Sequence, residues 1–276
     1  MSAERAAPTS MVRSDALARP LDDVLAAFRE DGYARVGAVA NDDALSALRA
    51  RADALMLGEV RHEGLFFQHD AATGRYDDLT LGAGWVGPSL EYRKLEKLER
   101  DPIFLAWIEN PVFERIARAV IDDDVVLYRA VLMTKGASGG TELPWHQDGG
   151  TFWGLDRAPT LQIWTALDDA SLEAGCVEVM PRTHHDGLAT PLGGVIPQEH
   201  VRAKPSSKTE LLPAAAGEVL LLHNHVWHRS GRNLTGRPRR ALSVCYMSAS
   251  TRCLRKKRAP RTFWPVFRAP SERAPG

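Results

Sequence analysis

The stretch Pro144-Trp145-His146-Gln147-Asp148-Gly149-Gly150 decides how this chain is read. His146 and Asp148 stand two positions apart, a spacing that on a β-strand turns both side chains to the same face. Two imidazoles and one carboxylate form the facial set that holds non-haem Fe(II) and leaves positions open for oxygen and a second ligand. The tripeptide supplies two of those three groups. Alone it is weak, because a His and an Asp two apart turn up by chance in chains of this length, and a surface turn then accounts for them better.

The flanking sequence argues against the surface turn. Val125-Val126-Leu127-Tyr128-Arg129-Ala130-Val131-Leu132-Met133 precedes the motif and Leu161-Gln162-Ile163-Trp164-Thr165-Ala166-Leu167 follows it, two apolar runs of strand character. Strands on both sides give a site a rigid setting. Further on, Gly217-Glu218-Val219-Leu220-Leu221-Leu222-His223 reads as a turn entering a strand, with His228 just after it. Arg239 stands eleven residues beyond His228, at the head of another strand candidate over 241–247. Many short strands with turn signals, preceded by helical sequence, predict a mainly β protein with flanking helices. Its core is expected to be a double-stranded β-helix, a jelly roll of cupin type.

The helices have their own signals. Leu21, Val24, Leu25 and Phe28 recur at helical spacing, and Asn41 caps a second run whose stripe is Leu45, Leu48, Ala52 and Leu55. Gly32-Tyr33-Ala34-Arg35-Val36 between them is a short strand candidate. Asp101-Pro102 and Asn110-Pro111 each open a helix.

Trp164-Thr165-Ala166-Leu167-Asp168-Asp169, His228-Arg229-Ser230-Gly231-Arg232-Asn233 and the following Arg239 complete a pattern begun by His146-Gln147-Asp148. From about Val125 to Met247 the chain resembles the phytanoyl-CoA dioxygenase family of Fe(II)/2-oxoglutarate oxygenases. Pro181-Arg182-Thr183-His184 stands where that family has Pro-Gly-Ser-His, a departure that touches a turn and not the ligands. The resemblance implies Fe(II) on His146, Asp148 and His228, with 2-oxoglutarate and O2 as cosubstrates. His223 and His225 are rival distal ligands by position, and the match of Ser230, Asn233 and Arg239 to the family pattern selects His228.

The resemblance also implies that Arg239 takes the far carboxylate of 2-oxoglutarate, a task suited to a planar, always charged fork. Arg240 beside it must point to the opposite face of the strand. Ser230 adds a hydrogen bond, Trp164 flanks the keto acid, and Lys94 matches a basic residue that contacts the carboxylate in some members, with Arg93 as its fallback. Turnover would release succinate and CO2 while hydroxylating an unactivated C–H bond of a small organic molecule. Desaturation, epimerisation and ring formation share the same start. A halogenase of this fold carries Ala or Gly in place of the carboxylate, which Asp148 argues against. A non-catalytic metal- or ligand-binding cupin-like protein, the reading from another class, would have a broken triad, and here it is intact.

With 276 residues, 44% apolar and 25% charged, the chain is long enough for one large core, and its formal net charge of zero gives no electrostatic footprint for nucleic acid or membrane. A small-molecule partner is expected. Cys176, Cys245 and Cys253 form no disulfide framework, and the N-terminus lacks the apolar region of a secretory signal, so a reducing, cytoplasmic home is expected. Residues 1–20 are expected to be a disordered tail, and 21–276 a single domain with its barrel core at about 125–250.

The segment 58–90 is irregular and aromatic, with Phe66, Phe67, Tyr76 and Trp85 among glycines, and is read as a lid. His69 and Asp70 within it are adjacent, point opposite ways, and are read as polar loop residues. The charges of 91–100 read as a solvated face apart from Lys94, His184 and His185 as supporting rather than ligating histidines, and 190–208 as a surface loop. Arg252, Arg255, Lys256, Lys257, Arg258, Arg261 and Arg268 make 252–276 a solvated basic tail.

Overall fold

Side chains that take up the unpaired N–H groups of a first turn set where the helices begin. In the computed structural model, which describes residues 8, 10–17, 19–80, 82, 84–204, 208–256 and 260–268, α1 (Leu21–Asp31) is followed by α2 (Asp42–Leu57). The Asn41 side chain accepts from the Ala44 N–H at 2.8 Å, and α2 buries Leu45, Leu48, Ala52 and Leu55. α3 (Pro102–Ile108) and α4 (Pro111–Val120) start on Asp101 and Asn110, each accepting two backbone N–H groups, with proline at the first helical turn, where a missing N–H costs nothing.

The strands are β1 (Tyr33–Ala38), β2 (Phe66–His69), β3 (Tyr92–Glu96), β4 (Val125–Lys135), β5 (Leu143–Gln147), β6 (Leu161–Ala166) and β7 (Val177–Met180). β8 (Gly194–Val195), β9 (Glu210–Leu212), β10 (Glu218–His223), β11 (Trp227–Ser230), β12 (Arg239–Ser248) and β13 (Trp264–Pro265) follow. They form two antiparallel sheets. The larger runs β1-β10-β6-β12-β4-β3-β2, with β13 added to β4, and the smaller runs β8-β5-β11-β7-β9. This is a jelly-roll core with helices on one side, as the strand and helix signals predict.

Period-two alternation decides what each strand gives to which layer. On β10, Val219 and Leu221 join the core under the helices, while Leu220 and Leu222 face the smaller sheet. On β12, Leu242, Val244 and Tyr246 go to the helical side, and Ala241 packs with Trp164, Val177 and Val179 between the sheets. A register shift of one residue would exchange these sets, so burial on both faces fixes the register. No helix among the described residues is long and apolar enough to cross a membrane.

Several segments differ from the sequence reading. Within 1–20, residues 1–7, 9 and 18 lie outside the described residues, but Met11 is buried and Val12 bridges Ala40, so this part of the expected tail is docked. Residues 58–90 contain a strand, β2, paired with β3. Half of the charged run 91–100 is β3, with Tyr92, Arg93 and Leu95 buried, because it is flanked by β2 and β4. Residues 190–208 carry β8 and a short helix, α5 (Gln198–Arg202). In 252–276, β13 pairs with β4, Val266 and Phe267 are buried, and Arg261 lies over the Tyr128 ring at 4.7 Å. The rest of that basic segment, 257–259 and 269–276, lies outside the described residues.

Candidate metal centre

β5 and β11 pair antiparallel with His146 opposite His228, so two imidazoles distant in sequence meet by register alone. Their ring centroids are 4.0 Å apart. Asp148 sits just past the end of β5, where its N–H donates to the Asn224 carbonyl at 2.8 Å and the Asn224 side chain donates back to the Asp148 carbonyl at 3.0 Å. The following turn packs backbone on backbone. A Cβ at Gly193 would fall 2.0 Å from the Gly149 carbonyl oxygen, and Gly193 has φ +75°, so both space and conformation call for glycine.

Both imidazoles are oriented by backbone carbonyls. Nδ1 of His146 lies 2.9 Å from the Pro144 oxygen and Nδ1 of His228 lies 2.9 Å from the Val226 oxygen. A carbonyl only accepts, so each Nδ1 carries the proton and each Nε2 keeps a lone pair for a metal. One ligand atom from each of His146, Asp148 and His228 lies within 4.8 Å of the others. Two imidazole nitrogens and one carboxylate on one side of a point are the donor set that suits Fe(II) with an open face.

The electrostatics favour that state. Burial, with His228 beside it, pushes the His146 imidazole down to about 3, so it stays neutral. Burial alone would raise the Asp148 carboxyl, but Arg129 and the two imidazoles hold it well below the usual carboxylate range. Arg129 donates to Asp148 Oδ1 at 2.9 Å, and Gln162 Nε2 donates to Oδ2 at 2.7 Å. Ser243 in turn holds the Gln162 oxygen at 3.1 Å. The sequence reading did not single out Arg129, Gln162 or Asn224. A charge and an amide at alternating positions of two apolar strand runs were the available signal for the first two.

The other site candidates, Arg239, Ser230, Trp164 and Lys94, line the same cavity as the three ligands. Arg239 and Arg240 diverge as alternation requires. Arg240 turns outward to Asp168 and Asp53, whereas the buried Arg239 guanidinium has only the Ala174 and Gly175 carbonyls, at 3.4 and 2.5 Å, and the Trp164 ring at 6.0 Å. Burial pushes Arg239 down to about 10. Lys94 faces the cavity in an ion pair with Glu96, and Arg93 donates to Gln68 at 2.8 Å.

The remaining candidates lie elsewhere. His69 packs on Tyr92, Asp70 binds Thr141, and Nε2 of His184 and of His185 meet the Arg29 and Glu30 carbonyls. His223 and His225 lie with those two histidines rather than with the triad.

A family model for phytanoyl-CoA dioxygenase (PhyH) matches residues 28–241. The chain belongs to the phytanoyl-CoA dioxygenase family. It is 29% identical over 158 residues to phytanoyl-CoA dioxygenase domain-containing protein 1 of Bos taurus, 54% of each chain. It is 23% identical over 238 residues to the peroxisomal phytanoyl-CoA dioxygenase of Mus musculus, covering 82% of this chain and 68% of that one. The chain thus spans about half the length of the first of these family members. Among solved structures, EctD from S. alaskensis with 2-oxoglutarate and 5-hydroxyectoine superposes with a TM-score of 0.69 at 20% identity, over 96% of this chain and 91% of that one. The epimerase SnoN, in complex with Fe3+, alpha ketoglutarate and nogalamycin RO, gives 0.66 at 18% identity, over 91% and 96%. These likenesses show that the family fold is shared.

Proposed function

We propose that this protein is an Fe(II)/2-oxoglutarate-dependent dioxygenase that hydroxylates an unactivated C–H bond of a small organic molecule and releases succinate and CO2. The observation that carries the reading is the triad opening into a cavity that also exposes a buried guanidinium, Arg239, with no carboxylate partner among the described residues. Bound at the triad, Fe(II) would supply the chemistry that couples O2 to oxidation of the keto acid.

The residues supply position. His146, Asp148 and His228 would hold the metal, and Arg129 and Gln162 keep the Asp148 carboxylate from rotating. Arg239 takes the far carboxylate of 2-oxoglutarate in a two-pronged hydrogen bond, Ser230 adds a donor, and the Trp164 ring walls the keto acid. Lys94 contributes a cation already shared with Glu96. The segment 58–90 serves as the lid over the Arg239 end, a role supported by Gln68 on Arg93, Asp70 on Thr141, and Tyr76 at the cavity wall. At the mouth, Phe152 is 69% exposed and Val195 44%, an apolar rim suited to an organic substrate.

The test is to incubate Fe(II)-loaded protein with 2-oxoglutarate, O2 and a metabolite library while scoring succinate and product mass. A product heavier by one oxygen, formed with succinate, is expected. Loss of two hydrogens would mean desaturation or ring closure, and an unchanged mass with altered configuration would mean epimerisation. Halide-dependent chlorination would overturn the oxygenase assignment. Binding of metal and keto acid without succinate release under any substrate would return the protein to the non-catalytic class.

A further inference from the structure

Arg239 is not the only buried cation at its end of the cavity. Lys135 on β4 is its direct cross-strand partner on β12, and both line the cavity while only 6% and 3% exposed. Like charges placed opposite each other on adjacent strands repel, and burial removes the water that would screen them. Neither forms an ion pair with any described residue. Of the other cations of the cavity and of β12, Lys94 is answered by Glu96, Arg129 by Asp148, Arg229 by Glu178, and Arg240 by Asp168 and Asp53, while Arg93 is engaged by the Gln68 amide oxygen.

The chain nevertheless holds Lys135 firmly in place. Its ammonium donates to the Thr141 carbonyl at 2.6 Å, leaving two of its three N–H groups for another acceptor. The turn between them closes tightly on the lysine, since a Cβ at Gly140 would lie 2.8 Å from the Lys135 Cα, and Gly140 has φ +64°. Asp70, whose charge acts on Lys135, is occupied by the Thr141 N–H and hydroxyl and by the Ala71 N–H. Burial, with Arg239 and Arg93 beside it, pushes the Lys135 ammonium well below its ordinary value. A pair of buried cross-strand cations lining one space, neither with an acid of its own, is a site completed by an anion that enters from outside.

We propose that Lys135 is a second anchor for the far carboxylate of 2-oxoglutarate, its ammonium and the Arg239 guanidinium sharing one anion. This rests on the cosubstrate reading above and adds to it a residue outside the motif pattern. Two cations on one carboxylate also make the site select a keto acid that carries that carboxylate over one that lacks it.

The test uses anaerobic Fe(II)-loaded full-length protein and the charge-transfer band of a chelated 2-keto acid. It is titrated with 2-oxoglutarate and with 2-oxopentanoate, which has the same chain without the far carboxylate. Unaltered protein is expected to prefer 2-oxoglutarate strongly. In Lys135→Met that preference should contract by about tenfold or more through weaker 2-oxoglutarate binding alone. Lys135→Arg should restore most of it, and thermal melts should show both variants folded. Equal weakening of both acids in Lys135→Met would mean that the lysine only supports the Thr141 turn, and would overturn the proposal. So would an unchanged preference with a raised KM for the oxidised substrate, which would assign the lysine to substrate. Absence of any band in the unaltered protein would overturn the cosubstrate reading and this proposal together.

Discussion

His146 with His228, and His184 and His185 with His223 and His225, are two groups of the same ring in close contact, yet only one is built to hold a metal. In the second group successive ring centroids lie 4.0, 4.8 and 5.4 Å apart, no looser than a ligand set requires. The difference lies in where the nitrogens point. His146 and His228 spend Nδ1 on backbone carbonyls and leave Nε2 to converge with Asp148, while His184 and His185 spend Nε2 on carbonyls and His223 Nδ1 accepts the His225 N–H. No carboxylate joins that second group to complete a ligand set among the described residues. Ring proximity is therefore not a ligand set; tautomer control, convergence and a carboxylate together make one.

The adjacent arginines repeat the lesson. Arg240 is neutralised by two acids on the helical side, and Arg239 is left with backbone carbonyls on the cavity side. Strand alternation separates a structural cation from one that awaits a ligand.

The largest expected effects lie at the ligands. Asp148→Ala or His228→Ala should weaken Fe(II) binding by more than about a hundredfold, beyond the usual cost of losing a supporting contact, whereas His225→Ala should leave it within a few-fold. Metal analysis after desalting reads both. Retention in His228→Ala with loss in His225→Ala would reverse the two groups. Next in size, Arg239→Ala should weaken 2-oxoglutarate by a factor of about thirty or more. Arg240→Ala should leave that affinity alone and instead cost about 1–2 kcal/mol of stability through lost charged hydrogen bonds, since Asp168 keeps Arg49 at 3.0 Å and the Asp53 side chain is partly exposed. Keto-acid titration and urea unfolding of both variants separate the outcomes, and a large affinity loss in Arg240→Ala would shift the strand register by one residue.

The smallest effect belongs to the histidines that hold no metal. Burial, then His184 and His225, push His223 down to about 3. Above its ordinary value of 6.5 the ring is neutral whether folded or unfolded, and no stability depends on it. As pH falls below 6.5, the unfolded chain takes up a proton that the folded chain refuses, so stability is lost between about pH 6.5 and pH 3. His223→Gln should flatten that loss in the metal-free protein by roughly 2 kcal/mol at about pH 5, measured by urea unfolding. An unchanged acid slope would mean that His223 is not a proton-refusing member of the group.

Much of this was legible in the chain. Asn41, Asp101-Pro102 and Asn110-Pro111 announce helix starts because a cap is a local device, and the runs around His146, Trp164 and Val244 announce strands because alternation is local too. What escaped depends on pairing. Tyr92–Glu96 reads as a charged surface until β2 and β4 flank it, and Trp264–Pro265 reads as part of a tail until β4 offers an edge. The link from Arg129 and Gln162 to Asp148 exists only once three strands are in register, and Lys135 meets Arg239 only across a strand pair about a hundred residues apart in sequence.

His146, Asp148 and His228 would together hold one Fe(II), to which 2-oxoglutarate would bind. Anaerobic titration of the metal-free protein with Fe(II), in the presence and absence of 2-oxoglutarate, tests it directly. A charge-transfer band is expected that needs both components, saturates at one Fe(II) per chain, and disappears in Asp148→Ala while surviving in His225→Ala. A band that persists in Asp148→Ala, or Fe(II) that binds at unit stoichiometry without ever chelating the keto acid, would contradict it.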